Sequence, residues 1–153
     1  MLIRKMTFDD IAATVLIEKD CFSLPWSEKS FKESLERDDT LFLVCEEQIV
    51  SKNVAVSAAV TGYIGMYLSF DEGNITNVAV SPSYRKKGYG EALVSAAKEI
   101  AKEMQIEKIF LEVRVSNIPA ISLYEKMGFE SLGVRKNFYE HPQEDASIMC
   151  VCL

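Results

Sequence analysis

Residues 75–104 read "ITNVAVSPSYRKKGYGEALVSAAKEIAKEM". The first six alternate as a strand does, whereas from Tyr89 the residues Leu93, Ala96, Ala97, Ile100 and Met104 recur at helical spacing and predict one apolar helix face. Between the two periods stands "RKKGYG" (85–90), three cations and two glycines where a strand hands over to a helix. The first N–H groups of a helix have no intrahelical partner and lie at the positive end of its dipole. Glycines at 88 and 90 would let a ligand's oxygens approach that backbone closely. The stretch can therefore cradle a diphosphate, and by the same composition it can be a solvated turn. It is not a Walker loop, because no Lys-Ser or Lys-Thr follows Gly90. Nor is it the dinucleotide fingerprint, whose third glycine position is Leu93.

Working outward, "LIRKM" reads as a first strand, and Thr7 with Asp10 forms a capping pattern that opens a helix to about Cys21. "LPW" breaks that helix, and Ser27 can cap a second through "EKSFKESLER". A strand follows at 41–46, then a longer β region from Val54 to Val80 that bends at "DEG" (71–73) and predicts a hairpin. Beyond the central helix, "IEKIFLEVR" returns to period 2, with Ile109, Leu111 and Val113 facing one way and Phe110 and Glu112 the other. Asn117 can cap a short helix that stops at Gly128, and two last strands flank the turn "HPQED". The order β-α-α-β-β-β-α-β-α-β-β predicts an α/β (α+β) fold with a mixed, mostly antiparallel twisted sheet flanked by helices, formed by a single domain over 1–153.

Composition sets the function classes. In 153 residues, 48% hydrophobic and 26% charged content describes an ordinary globular chain, and no apolar run approaches the roughly 20 residues needed to span a bilayer. The start turns polar too soon for a signal peptide, so a cytoplasmic location and no membrane partner are expected. A net charge of −6 argues against direct nucleic-acid binding. Of the four cysteines, Cys21, Cys45, Cys150 and Cys152, no pair has C-x-x-C spacing; all four read as core or strand packing. His141, the only histidine, precedes a proline in a turn, so neither a Cys/His nucleophile nor a metal site is expected.

Two motifs in combination carry a resemblance. "VSPSYRKKGYGEAL" contains R-x-x-G-x-G between a strand and a helix, and "NIPAISLYEKMGF" (117–129) keeps N-x-x-A-x-x-L-Y-x-x-x-G-F. With "PWSEKSF" and "DEGNITNVAV", the chain resembles the GNAT superfamily of N-acetyltransferases over nearly its whole length. Within it, the chain resembles the RimI-type branch, which acetylates the N-terminal alanine of a small-subunit ribosomal protein. The resemblance implies acetyl-CoA as cosubstrate, with no metal, bound in a splayed gap between central strands. It implies that Val78, Ala79 and Val80 pair with the pantetheine amides. Arg85, Lys86, Lys87, Gly88, Tyr89, Gly90 and Glu91 would hold the pyrophosphate, chiefly through main-chain N–H groups, and Asn117 would touch the cofactor from the other side.

Amine attack on a thioester needs a proton acceptor for the ammonium and a donor for the leaving thiolate. Glu112, a carboxylate on a half-buried strand, is the candidate base, against the reading of a solvated edge residue. Tyr124 is the candidate acid, although core packing alone would also explain its ring. Trp26 and Tyr139 are candidate walls of the acceptor groove, and each can equally be core. The implied partner is a protein or peptide N-terminus, with a basic ribosomal protein the natural fit to an acidic chain, and the implied state is a monomer or weak dimer. The rivals are a small-amine or lysine acetyltransferase of the same fold, told apart by turnover on free amines, and a non-catalytic acyl-CoA-binding module.

Overall fold

The computed structural model describes residues 1–52 and 54–153. Seven strands form one sheet: β1 (Leu2–Lys5), β2 (Thr40–Ser51), β3 (Val54–Ser69), β4 (Glu72–Val80), β5 (Lys108–Arg114), β6 (Glu130–Glu140) and β7 (Gln143–Cys152). Their order is β1-β2-β3-β4-β5-β7-β6, and among these pairings only β4–β5 is parallel. Four helices, α1 (Ile11–Cys21), α2 (Glu28–Leu35), α3 (Tyr89–Glu103) and α4 (Ile118–Lys126), cover the two faces. The parallel pair is the crossover β4-α3-β5, so the stretch with the two periods forms the centre of the fold.

Local signals act as predicted at the helix starts. The Asp10 carboxylate accepts the Thr7 N–H at 2.8 Å, and a short helical turn over Phe8–Asp10 runs directly into α1. The Arg4 guanidinium bridges Asp10 and Glu46, both at 2.8 Å, tying this turn to β1 and β2. Its hydrogen bond to Asp10 holds that carboxyl below its ordinary value. Ser27 Oγ accepts the Ser30 N–H to cap α2, and Asn117 Oδ1 accepts the Ala120 N–H to cap α4.

Each face of the sheet has its own core. On one side α1 and α2 bury Ile17 and Phe31 against Phe42, Val44, Tyr63 and Ala79. Phe31 is fully buried and packs edge-on against Tyr63 with centroids 5.4 Å apart, so its truncation to Ala should cost about 4 kcal/mol. On the other side α3 and α4 press Leu93, Ala97 and Tyr124 onto Ile64, Ile109 and Leu111.

Four expectations are corrected. Met104 is exposed; it follows the last turn of α3, and the buried stripe is completed by Val94 and Ala101 instead. β2 continues past residue 46 to Ser51, because beyond Glu46 it has lost β1 as a neighbour and pairs with β3 alone, so its residues there need not be apolar. The last turn is His141–Pro142, since Gln143 already belongs to β7. Cys152 is exposed rather than packed, as the β6 register ends at Glu130↔Cys150 and leaves the end of β7 overhanging, whereas Cys45 is fully buried.

Candidate active site

The parallel pairing of β4 and β5 is short. It runs from Glu72↔Lys108 to Ile75↔Leu111 and then stops, although β4 continues to Val80 and β5 to Arg114. The strands splay into a gap. A register shift between Gly65 and Met66 marks the point of divergence, where Thr76 is an extra residue in β4. Above it, the Ser81 N–H donates to Thr61 O at 2.8 Å. By the alternation of an antiparallel ladder, Ala79 then turns its backbone groups toward β3, and Val78 and Val80 turn theirs into the gap. Two of the three expected residues thus present backbone to the gap. The Val80 carbonyl already accepts from Arg85 Nε (3.2 Å) and Cys21 Sγ (3.6 Å).

A cleft of about 550 Å³ opens from this gap toward α3. Val78, Ala79, Val80, Arg85, Lys86 and Gly88 border it, as do Tyr89, Gly90, Glu91 and Asn117. Gly88 caps α3 at φ +84°, a left-handed conformation that suits glycine, and Lys86 before it also has φ +59°. Among the described residues, no carbonyl outside α3 accepts the backbone N–H groups of residues 86–91. They form a run of donors at the positive end of a 15-residue helix, a cradle suited to a diphosphate.

The side chains of this loop have other work. Arg85 ties the loop to the end of β4, with Nη2 also 3.2 Å from Cys21 Sγ. Lys87, expected at the site, does not border the cleft; its ammonium folds back onto Ser83 O at 3.1 Å and over the Tyr84 ring. Tyr89 packs edge-on against Tyr84 and donates its hydroxyl to Glu47, which pushes its phenol up to about 12. Glu91 accepts Lys126 Nζ at 2.6 Å and joins the start of α3 to the end of α4.

A second cleft of about 460 Å³ enters beside the α1–α2 segment. Glu112, Trp26 and Tyr139 border it. The two clefts share Cys21, Phe22, Val78, Asn117, Ala120 and Tyr124, so they meet at the splayed gap. Tyr124 is only 7% exposed, and burial drives its phenol well above the ordinary range, which keeps it protonated as a donor must be. Glu112 lies 3.6 Å from Arg135. Asn117 borders both clefts, with Oδ1 committed to the helix cap.

Trp26 both borders this cleft and packs against the core. Its ring stacks at a tilt on Phe31 and Phe42, with centroids 5.4 and 6.1 Å away, and the apolar surface facing this cleft comes also from the exposed Phe22 and Leu24. Tyr139 is half-buried under the Arg114 guanidinium, 4.2 Å from the ring centroid. Sequence reasoning missed Glu18, a fully buried carboxylate at this cleft that accepts the Trp26 N–H (2.7 Å), Asn77 Nδ2 (3.1 Å) and the Tyr63 hydroxyl. Its signal in the sequence is an acidic residue one step from Ile17 on the buried side of α1. No cluster of three or more metal-ligating side chains occurs among the described residues.

A run of unpaired amides leading to a gap between parallel strands, where a second cleft meets the first, is a layout suited to a transferase that brings two substrates end to end. The chain belongs to the acetyltransferase (GNAT) family, whose pattern matches residues 11–129. It is 39% identical over 152 residues to a Bacillus subtilis protein provisionally named a ribosomal protein bS18-alanine N-acetyltransferase, covering 99% of this chain and 95% of the relative. It is 32% identical over 144 residues to the ribosomal protein bS18-alanine N-acetyltransferase of Escherichia coli, covering 93% and 90%. The crystal structure of the Escherichia coli ribosomal-protein-S18-alanine N-acetyltransferase superposes with a TM-score of 0.82 at 29% identity, over 99% of this chain and 92% of that one.

Proposed function

We propose that this chain transfers an acetyl group from acetyl-CoA to the α-amine of a protein N-terminus, with alanine first and a basic small-subunit ribosomal protein as acceptor. The observation that carries the reading is the meeting of two clefts at Tyr124, one bordered by the anion cradle and the other by Glu112. The relatives' names support the acceptor. No helix among the described residues is long and apolar enough to cross a membrane. The proposed location is cytoplasmic, and the proposed state is a monomer or weak dimer.

Acetyl-CoA fits the residues present. The amides of residues 86–91 would receive its diphosphate, and the gap-facing backbone of Val78 and Val80 would receive the pantetheine amides. Bound there, it supplies an acetyl group activated as a thioester. Glu112 accepts a proton from the acceptor's ammonium, and the Tyr124 hydroxyl donates one to the departing sulfur. Phe22 and Leu24 put apolar surface at the approach.

The acceptor class follows from magnitudes. An α-amine with a pKa of about 7.7–8.0 costs only a few tenths of a kcal/mol to neutralise near pH 7.5, while a lysine at about 10.4 costs roughly 4 kcal/mol. A single carboxylate base is adequate for the first. The test is acetyl-CoA turnover on matched peptides beginning with free Ala, Ser or Met, against an acetyl-blocked Ala peptide. Turnover confined to free N-termini, fastest on Ala, is the expected result, and turnover on the blocked peptide alone would refute the reading.

A further inference from the structure

Asn77 holds one buried side-chain atom with no partner. It is 9% exposed, and its Oδ1 receives no hydrogen bond, the one such buried atom among the described residues. Its orientation is fixed chemically. A carboxylate only accepts, so the amide must turn Nδ2 toward Glu18 Oε1 (3.1 Å), which leaves Oδ1 directed elsewhere. Glu18 is itself held by the Trp26 N–H and the Tyr63 hydroxyl, so the amide has no freedom to flip.

The backbone aims this group deliberately. Ile75 belongs to the core under α3, and simple alternation would put Asn77 on that same face. The extra residue at Thr76 shifts the phase by one, so Asn77 reaches Glu18 on α1 instead, while Val78 returns to the α3 side. Asn77 and Glu18 both border the second cleft, and Asn77 is adjacent in chain to Val78, which borders both. Among the described residues no cation pairs with Glu18, whereas Glu112 has Arg135, and Arg114, the cleft's other charged side chain on β5, has Glu144. An acceptor-only oxygen backed by an unpaired carboxylate calls for a cationic N–H donor.

We infer that Asn77 Oδ1, oriented by Glu18 and closed to water in this structure, is uncovered as the acceptor enters and receives an N–H of its α-ammonium in the ground-state complex. Asn77 is thus a substrate-recognition residue and Glu18 a positioning residue that acts through it. This rests on the α-amine acetyltransfer proposed above and deepens it, since it explains how a charged N-terminus is held at the inner end of a cleft whose mouth carries Phe22 and Leu24. Glu112 then takes the proton from an amine that is already held.

The experiment compares two peptides on the protein saturated with CoA. One carries a free N-terminal alanine, and the other is its des-amino analogue, with hydrogen in place of the amine. Wild type should bind the free peptide at least about tenfold more tightly, the usual worth of one charge-assisted hydrogen bond. Asn77→Ala should bring the two affinities within about twofold, and acetyl-CoA affinity should stay unchanged. The ratio does not depend on the fraction folded. Glu18→Gln is the second variant: a Gln amide can donate to Asn77, letting it turn Nδ2 to the cleft, so selectivity should fall there too, and the double variant should lose no more than Asn77→Ala. If Asn77→Ala weakens both peptides equally, the ratio survives and the inference is overturned. Wild-type turnover on the free peptide without any binding preference overturns the inference alone, and no turnover on it overturns the function proposal as well.

Discussion

Gly90 stands against Leu123: a Cβ built on Gly90 would lie 3.1 Å from Leu123 Cδ2, so the start of α3 and the middle of α4 leave little room between them for a side chain. At Gly88 the reason for glycine differs, since a Cβ there would meet nothing within 4 Å and only its φ of +84° disfavours a side chain. Gly90→Val should therefore push α3 and α4 apart at the cradle and raise the KM for acetyl-CoA by roughly tenfold or more. Gly88→Ala should instead cost about 1–2 kcal/mol of stability with a smaller kinetic effect. Steady-state kinetics beside thermal unfolding separates the two. An unchanged KM in folded Gly90→Val would move the diphosphate off these amides.

Selectivity between amines offers a second test. A peptide with a free N-terminal alanine should be acetylated at least about a hundredfold faster than the blocked peptide with one internal lysine, given the few kcal/mol between their neutralisation costs. Mass spectrometry of the products gives the ratio. Equal rates would make the protein a lysine acetyltransferase.

Glu112 and Tyr124 should separate by pH. Glu112→Gln keeps the shape and removes the base, so turnover at pH 7 should fall about a hundredfold, with the defect shrinking above the α-amine's pKa of about 8. Tyr124→Phe should lower kcat with acetyl-CoA binding nearly intact. Burial raises the Tyr124 phenol above its ordinary value, so the wild-type hydroxyl stays protonated up to at least pH 10 and the Phe defect should not vary between pH 6 and 9. A pH–rate profile of each variant checks both. Wild-type turnover in Glu112→Gln at pH 7 would take the base assignment away.

Stability should also depend on acid in a traceable way. Arg4 depresses the Asp10 carboxyl, so this group's contribution is present above the unfolded value of about 3.9 and is lost as pH falls through the lower folded value. Asp10→Asn should cost about 2 kcal/mol at pH 7 and much less near pH 2, through loss of the cap and the ion pair together. Urea unfolding at the two pH values measures the difference. An equal loss at both would mean that the charge contributes nothing.

Short-range grammar was the legible part. The shift of period at Tyr89, the caps at Thr7, Ser27 and Asn117 and the stop at Gly128 are all one-segment signals, and the structure keeps each of them. What escaped depends on distant segments meeting. Glu18 and Tyr63 are 45 residues apart and Glu18 and Asn77 are 59 apart, so nothing local marks their contact. The extra residue at Thr76 escaped for a related reason: its phase shift exists only against Gly65 and Met66 on β3. The direction of the Lys87 ammonium was illegible for a third reason, because loop composition says which charges are present and not which way each folds.

The early end of the β4–β5 pairing also bears on heat resistance. Past Ile75 and Leu111 the two halves of the sheet share no ladder there, and under the function proposed here the missing rungs come from the pantetheine chain of the coenzyme. Thermodynamic linkage then makes the melting temperature a gauge of coenzyme supply: at a hundred times its Kd, the ligand adds about 2.7 kcal/mol to the folded state. Acetylated and spent coenzyme carry the same pantetheine and diphosphate, so either should brace the sheet. A cell depleted of both would hold this protein in its most perishable form.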